Sequence, residues 1–222
     1  ANRASLVASG RGQSVAGDVC VSTTDMFAYY VMPQIVADLQ KIAPQIRIRI
    51  LASNSLSDLQ RREADIAVRH VAHTQPELIS RKVCEAKGRI YASQSYLERH
   101  GKIKTLEDVR SAHFVGIGEN DELLDFLKNW GLPITQTNLR VLGDSGLVGW
   151  QMARQGLGIS AMTDDIARHF PEMKLVLPEL EPIPVPYWLT THKELHSSKR
   201  IRLVYDRIAE TLSANKLPVR VG

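Results

Sequence analysis

A chain of 222 residues, 44% hydrophobic and 23% charged, has enough apolar mass for one large domain or two small lobes. No apolar run approaches the ~20 residues that span a bilayer, and the first residues lack the charged-then-apolar order of an export leader. Two cysteines are too few for a disulfide framework, so a reducing cytoplasm fits, and the net charge of +4 comes from basic residues scattered among acids and not from one aromatic-interleaved stripe. Asp18–Ser22 alternates around Val19 and Val21 as a strand does. A helix is expected from Asp25 to Ile42, with Phe27, Val31, Ile35, Leu39 and Ile42 on one stripe and Pro33 kinking it. Ile46–Ile50 is strict period two. A short helix from Ser53–Ser57 to Arg62 and a strand at Asp65–Arg69 complete an α/β series, which implies a parallel sheet with right-handed crossovers.

Leu78–Val83 and Arg89–Ala92 read as extended segments around Ala86-Lys87-Gly88, a crossing between lobes. The second series runs through helices near Ser95–His100 and Leu106–Arg110, a strand at His113–Gly116, a helix at Asp121–Trp130 and a strand at Leu139–Leu142. Asp144 and Ser145 then open a helix that Gly156 stops in a left-handed turn, and Gly158 lets the next strand leave close by. Pro178, Pro182, Pro184 and Pro186 mark an irregular or extended return crossing. Tyr187–Thr191 reads as a strand, and Lys199–Leu212 as a last helix with Ile201, Val204, Ile208 and Leu212 on one face.

The familiar chemical motifs are weak here. Gly143-Asp144-Ser145-Gly146 matches the four residues around a serine-protease nucleophile, but it continues into a helix and lacks an upstream Ala-Ala-His setting. Gly10-Arg11-Gly12 lacks the third glycine of a dinucleotide loop. His70 and His73 have no carboxylate or cysteine partners at ligand spacing, and His192 and His196 flank a loop and are expected to face solvent, so neither a metal nor a cofactor is expected. Cys20 and Cys84 lie in strands, as small core residues or as a redox pair.

Three polar helix starts remain: Thr23, Thr24 and Asp25; Ser53, Asn54 and Ser55; Asp144 and Ser145. A helix amino end offers unpaired amides and about half a positive charge, which suits a carboxylate or phosphate. Taken singly, each start is explained by capping. Arg69 and His70, ending the third strand, would add a cationic contact, although Arg69 equally suits a salt-bridged strand end. Asp25 disfavours a purely anionic ligand and suits a zwitterion such as an amino acid.

Gly17-Asp18-Val19-Cys20-Val21-Ser22-Thr23-Thr24, Met32-Pro33, Ala43-Pro44, Asp65-Ile66-Ala67-Val68-Arg69, Tyr96-Leu97 and Gly156-Leu157-Gly158-Ile159 together resemble the effector-binding domain of LysR-type transcriptional regulators, over about residues 17 to 213. The resemblance implies an α/β fold of two Rossmann-like lobes joined by two crossover segments, like the type II periplasmic binding proteins. Lobe I would be 18–86 and 187–222, lobe II 87–186, and 1–17 the end of a linker after a winged helix-turn-helix domain that this chain lacks. The chain is therefore expected to be a fragment of a cytoplasmic regulator that is not an enzyme and does not engage membranes. A small acidic or zwitterionic metabolite would bind between the lobes at the three helix starts, and DNA would be bound only through the missing domain. The resemblance also implies a homodimer or higher homo-oligomer, with Tyr29, Tyr30, Gln34 and Ile35 on one side of the seam and Gly149, Trp150 and Ala153 on the other. The alternatives are a periplasmic solute-binding protein, which shares the two-lobed fold, and a serine hydrolase acting through Ser145.

Overall fold

The computed structural model describes residues 15–54, 63–117 and 120–214. Residues 1–14 of the expected linker end, and residues 55–62 with Ser55 and most of the expected short helix, lie outside these, while Gly17, expected to close the linker, opens the first strand. The chain divides into two units. The first comprises the described residues up to Glu85 and from Pro186 onward; the second runs from Ala86 to Val185.

In the first unit, β1 (Gly17–Thr23) pairs in parallel with β2 (Ile46–Ala52) from Gly17↔Ile46 to Thr23↔Ala52, and on its other edge with β3 (Ile66–Arg69). β3 pairs antiparallel with β9 (Ile183–His192), so the sheet is mixed and not purely parallel. Strand order is β2-β1-β3-β9-β4, where β4 (Leu78–Ser93) is one continuous strand through the expected break at Ala86-Lys87-Gly88. β9 absorbs Pro184 and Pro186, which the sequence places in an irregular crossing.

The helix after β1 comes in two pieces. α1 (Asp25–Tyr30) ends at Val31, and α2 (Met32–Ile42) carries Pro33 in its first turn, where the missing amide breaks no helical hydrogen bond. Phe27, Val31, Ile35 and Leu39 are all at most 2% exposed, whereas Ile42, read as the end of the same stripe, is 63% exposed. It sits in the last helical turn before the chain leaves at Ala43, where the stripe has run past the core. α8 (Lys199–Ser213) buries Ile201, Val204, Ile208 and Leu212, and Arg207 on it donates to Asp38 of α2. His192 is buried at the end of β9 and corrects the expectation of a solvent-facing ring, while His196 is exposed. Cys20 is buried and Cys84 half-buried, and they form no disulfide with each other.

In the second unit, Gly88–Tyr91 of β4 pairs antiparallel with β7 (Ser160–Thr163), and Ile90–Ser93 with β8 (Met173–Val176). β5 (Phe114–Ile117) pairs in parallel with β6 (Leu139–Gly143), and a parallel bridge joins Phe114 to Ile159. Helices α3 (Gln94–His100), α4 (Leu106–Val109), α5 (Asn120–Asn129) and α6 (Gly146–Arg154) fall close to their predicted places. α7 (Asp164–Ala167) and β8 are too short to leave a period in the sequence. The core packs Tyr96, Val109, Phe114, Leu132 and Ile159 together.

Most of the residues expected at a seam between copies are buried within their own unit. Tyr30 and Ile35 belong to the first unit's core, and Gly149, Trp150 and Ala153 form the inward face of α6. The Trp150 ring meets Phe170 at 5.6 Å and Tyr91 at 6.1 Å, both edge-on. An apolar stripe at helical spacing shows that a face is covered and not what covers it. On the same helices the exposed large apolar side chains are Tyr29, Ile42, Val148 and Met152.

Candidate functional site

The first unit brings two of the polar helix starts together. β1 ends in Thr23, and the amide of Ser53, just past β2, donates to the Thr23 carbonyl at 2.9 Å. The Asp25 amide donates to Asn54 Oδ1 at 3.5 Å, closing the pair from the other side. These contacts follow from the parallel register, because Thr23↔Ala52 sets both strand ends level. A site at the carboxyl ends of adjacent parallel strands is where open α/β sheets hold small ligands.

Thr24 is the N-cap of α1: its Oγ1 accepts from the Phe27 amide at 3.4 Å. Capping uses the oxygen as acceptor and leaves the hydroxyl hydrogen for another partner. Asp25 Oδ1 accepts from the Met26 amide at 2.7 Å, so this carboxylate is turned onto its own backbone. The Thr23 hydroxyl is fully buried and has no hydrogen-bond partner among the described residues. A buried hydroxyl without a partner costs about 1–3 kcal/mol, an expense native folds rarely carry without a use.

Arg69 ends β3, with its side chain on the sheet face of Ser22 and not of Thr23. It is buried, and its Nη2 donates to Ser22 Oγ at 2.7 Å and its Nη1 to the Val68 carbonyl at 2.9 Å. These two bonds hold the guanidinium against the sheet. His70 places Nδ1 3.1 Å from the Pro186 carbonyl and its ring edge-on to Tyr187 at 4.8 Å. Because a carbonyl only accepts, Nδ1 carries the proton and Nε2 is the acceptor of the neutral ring.

The third helix start stands in the second unit. Ser145 is the N-cap of α6, with Oγ accepting from the Val148 amide at 3.2 Å, and Asp144 precedes it in the exposed loop after β6. Gly156 adopts φ +81, the left-handed stop expected of it. A Cβ on Gly158 would stand 2.7 Å from the His113 carbonyl oxygen, which explains why only glycine fits where the chain crosses β5. Among the described residues, no three His, Cys, Asp or Glu side chains gather as a metal site. The buried hydroxyl of Thr23 was named from sequence as part of a helix start; that it lacks a partner is visible only in the fold.

A two-unit α/β chain with polar helix starts at the carboxyl ends of parallel strands has the architecture in which open α/β sheets hold small ligands. The chain matches the LysR substrate binding domain over residues 12–213 and belongs to that family, the effector-binding domain of LysR-type transcriptional regulators. It is 25% identical to the probable HTH-type transcriptional regulator LtrA of Klebsiella pneumoniae, covering 96% of this chain and 72% of that protein. It is 23% identical to the HTH-type transcriptional regulator CrgA of Neisseria meningitidis serogroup B, of which it spans 58% while 69% of this chain is covered. The solved CrgA regulatory domain superposes with a TM-score of 0.80 at 20% identity, over 89% of this chain and 99% of that one. The full-length Vibrio cholerae virulence activator AphB superposes with a TM-score of 0.70 at 21% identity, over 88% of this chain and 68% of that one. The fold is thus that of LysR regulatory domains.

Proposed function

We propose that the chain senses a small acidic or zwitterionic metabolite for a cytoplasmic transcriptional regulator and is not itself an enzyme. The metabolite is held by Thr23, Thr24, Asp25, Ser53 and Asn54 in the first unit, with Arg69 and His70 at the end of β3 as the cationic contacts. Asp144, Ser145 and, outside the described residues, Ser55 complete the set. The observation that carries this reading is the buried, unpartnered Thr23 hydroxyl beside a Thr24 hydroxyl that still has a hydrogen to donate. A carboxylate arriving there accepts from both, while a ligand amine answers Asp25. Family membership favours this reading over a solute-binding protein, and a Ser145 that caps α6 gives a structural reason for the residue without hydrolysis.

LysR-type regulators bind effectors, oligomerise and contact DNA through an amino-terminal domain. In this regulator the effector shifts the balance between states that differ in lobe and dimer arrangement, and it does so only by binding one state more tightly. A thermal-shift screen of carboxylates and amino acids tests the reading, since a ligand of the native state raises Tm. For a hit, Thr24→Ala and Ser53→Ala should each weaken binding by about 1.5–3 kcal/mol, the range for a hydrogen bond to a charged group. A hit whose affinity neither variant changes places the effector elsewhere.

A further inference from the structure

We propose that the second unit carries a metal site of its own, in which His100 at the end of α3 and His113 just before β5 hold one late divalent transition-metal ion between their imidazoles. The two rings come from different elements, so no ligand spacing in the sequence announces them. In the fold their centres stand 6.2 Å apart at an interplanar angle of 52°. A zinc–nitrogen bond is about 2.0–2.1 Å and a ring centre lies about 1.15 Å behind its nitrogen, so two imidazoles on one ion stand at most about 6.4 Å apart. At the tetrahedral angle the separation is about 5.2 Å, and turning half-buried His100 about its side-chain bonds closes the remaining distance.

His100 is already oriented as a metal ligand is. Ser111 donates to the Asp108 carbonyl at 3.2 Å, so its oxygen accepts from His100 Nε2 at 3.4 Å. The neutral ring then carries its proton on Nε2 and its lone pair on Nδ1. In metal-bound histidines the second N–H is given to an outer acceptor, which fixes tautomer and aim, and Ser111 is placed to be that acceptor. The ring also stacks on Tyr96 at 5.1 Å and 11°. His113 stands on fixed backbone: its amide donates to the Tyr96 hydroxyl at 2.8 Å, and its carbonyl accepts from the Ile159 amide at 2.8 Å. Tyr96 thus holds both histidines, one by its ring and the other by its oxygen.

Neither imidazole meets a carboxylate, and neither makes a further hydrogen bond among the described residues. Burial first, then Arg140 and His100, hold the His113 ring below its ordinary value, so at pH 7 it is in the neutral form that binds metal. The donors select the ion. Two imidazoles suit zinc, nickel or copper and not magnesium or calcium, which take oxygen. Both cysteines belong to the first unit, so no thiolate joins the pair. Water fills the remaining positions, and the bound ion ties the end of α3 to the start of β5.

Zinc is the probe, titrated into the whole chain in a buffer that does not bind it, with magnesium as control. Calorimetry gives the affinity while NMR follows the imidazole signals. Saturable binding is expected, with the signals of His100 and His113 moving together. His100→Gln and His113→Gln should each abolish that equivalent of zinc, and His100 lies half-buried at a helix end, where its replacement leaves the core untouched. Ser111→Ala, exposed and not a ligand, should weaken binding about tenfold. Thr24→Ala should leave it unchanged, which separates this site from the effector reading. Zinc that moves only other histidines, that magnesium matches, or that both glutamine variants bind with unchanged affinity overturns the proposal.

Discussion

Arg69 Nη2 donates to Ser22 Oγ across adjacent parallel strands at 2.7 Å, in a residue only 3% exposed. The side chains of Ser22 and Arg69 therefore lie on one face of the sheet, while Thr23 next door points to the other. Ser22→Ala removes an acceptor from a buried cation. It should lower the unfolding free energy by about 1.5–3 kcal/mol. Urea denaturation should record this as a lower midpoint at unchanged slope.

Gly156 and Gly158 separate two costs. Gly156→Ala places a side chain at φ +81, a backbone strain of roughly 1–2 kcal/mol, with its Cβ 2.7 Å from Arg99 Nη2 and 2.8 Å from Ser95 Oγ, side-chain ends that must shift and with them the Arg99 bond to the Gly156 carbonyl. Gly158→Ala instead meets a backbone carbonyl, that of His113, at 2.7 Å. It should cost as much or more, roughly 1–3 kcal/mol of overpacking, and disturb the Phe114 to Ile159 bridge. Thermal denaturation gives both costs, and loss of hydrogen-exchange protection at Val115 should occur only in Gly158→Ala.

His113 makes stability depend on pH in one direction. Its folded value lies below the ordinary 6.5, so the unfolded chain binds the proton more readily. The stabilisation is fully present above pH 6.5 and is lost as pH falls through that value toward the folded pKa. His113→Gln should flatten the fall in Tm between pH 7 and pH 5 in metal-free buffer. An unchanged slope would remove His113 as its source.

Ser145→Ala should cost about 1 kcal/mol as a lost N-cap, visible in thermal melts. Hydrolysis of generic esters should stay at the background rate in both proteins. A rate that falls with the substitution would restore the hydrolase reading.

If copies of the chain associate through the outward faces of α1 and α6, the exposed Tyr29 and Met152 carry the contact. Tyr29→Glu or Met152→Glu should shift sedimentation toward monomer at tens of micromolar without lowering Tm, whereas Trp150→Ala should lower Tm by the cost of a core cavity, about 3–5 kcal/mol.

The periodic parts of this fold were legible in the sequence. Alternation gave β1 and β2, and the stripe Ile201, Val204, Ile208, Leu212 gave α8. Pro33 announced a break whose position, Val31, depends on where a proline fits a first turn. The stretch holding α7 and β8 was silent because four residues make no period. At the candidate site, residue types pointed to Thr24 and Ser53. Their convergence came from a strand register that one sequence does not reveal.

The second unit is one uninterrupted stretch, whereas the first is made of two segments on either side of it. The later segment supplies β9, which takes a place in the interior of its sheet, between β3 and β4. During translation, then, β3 and β4 leave the ribosome with a vacancy between them that β9 fills only after the second unit has been made. Until it arrives, each offers an unpaired backbone edge to any passing strand, the condition under which nascent sheets aggregate. Of the two units, the one begun before the other is completed after it, and a stall between β4 and β9 leaves this sheet open.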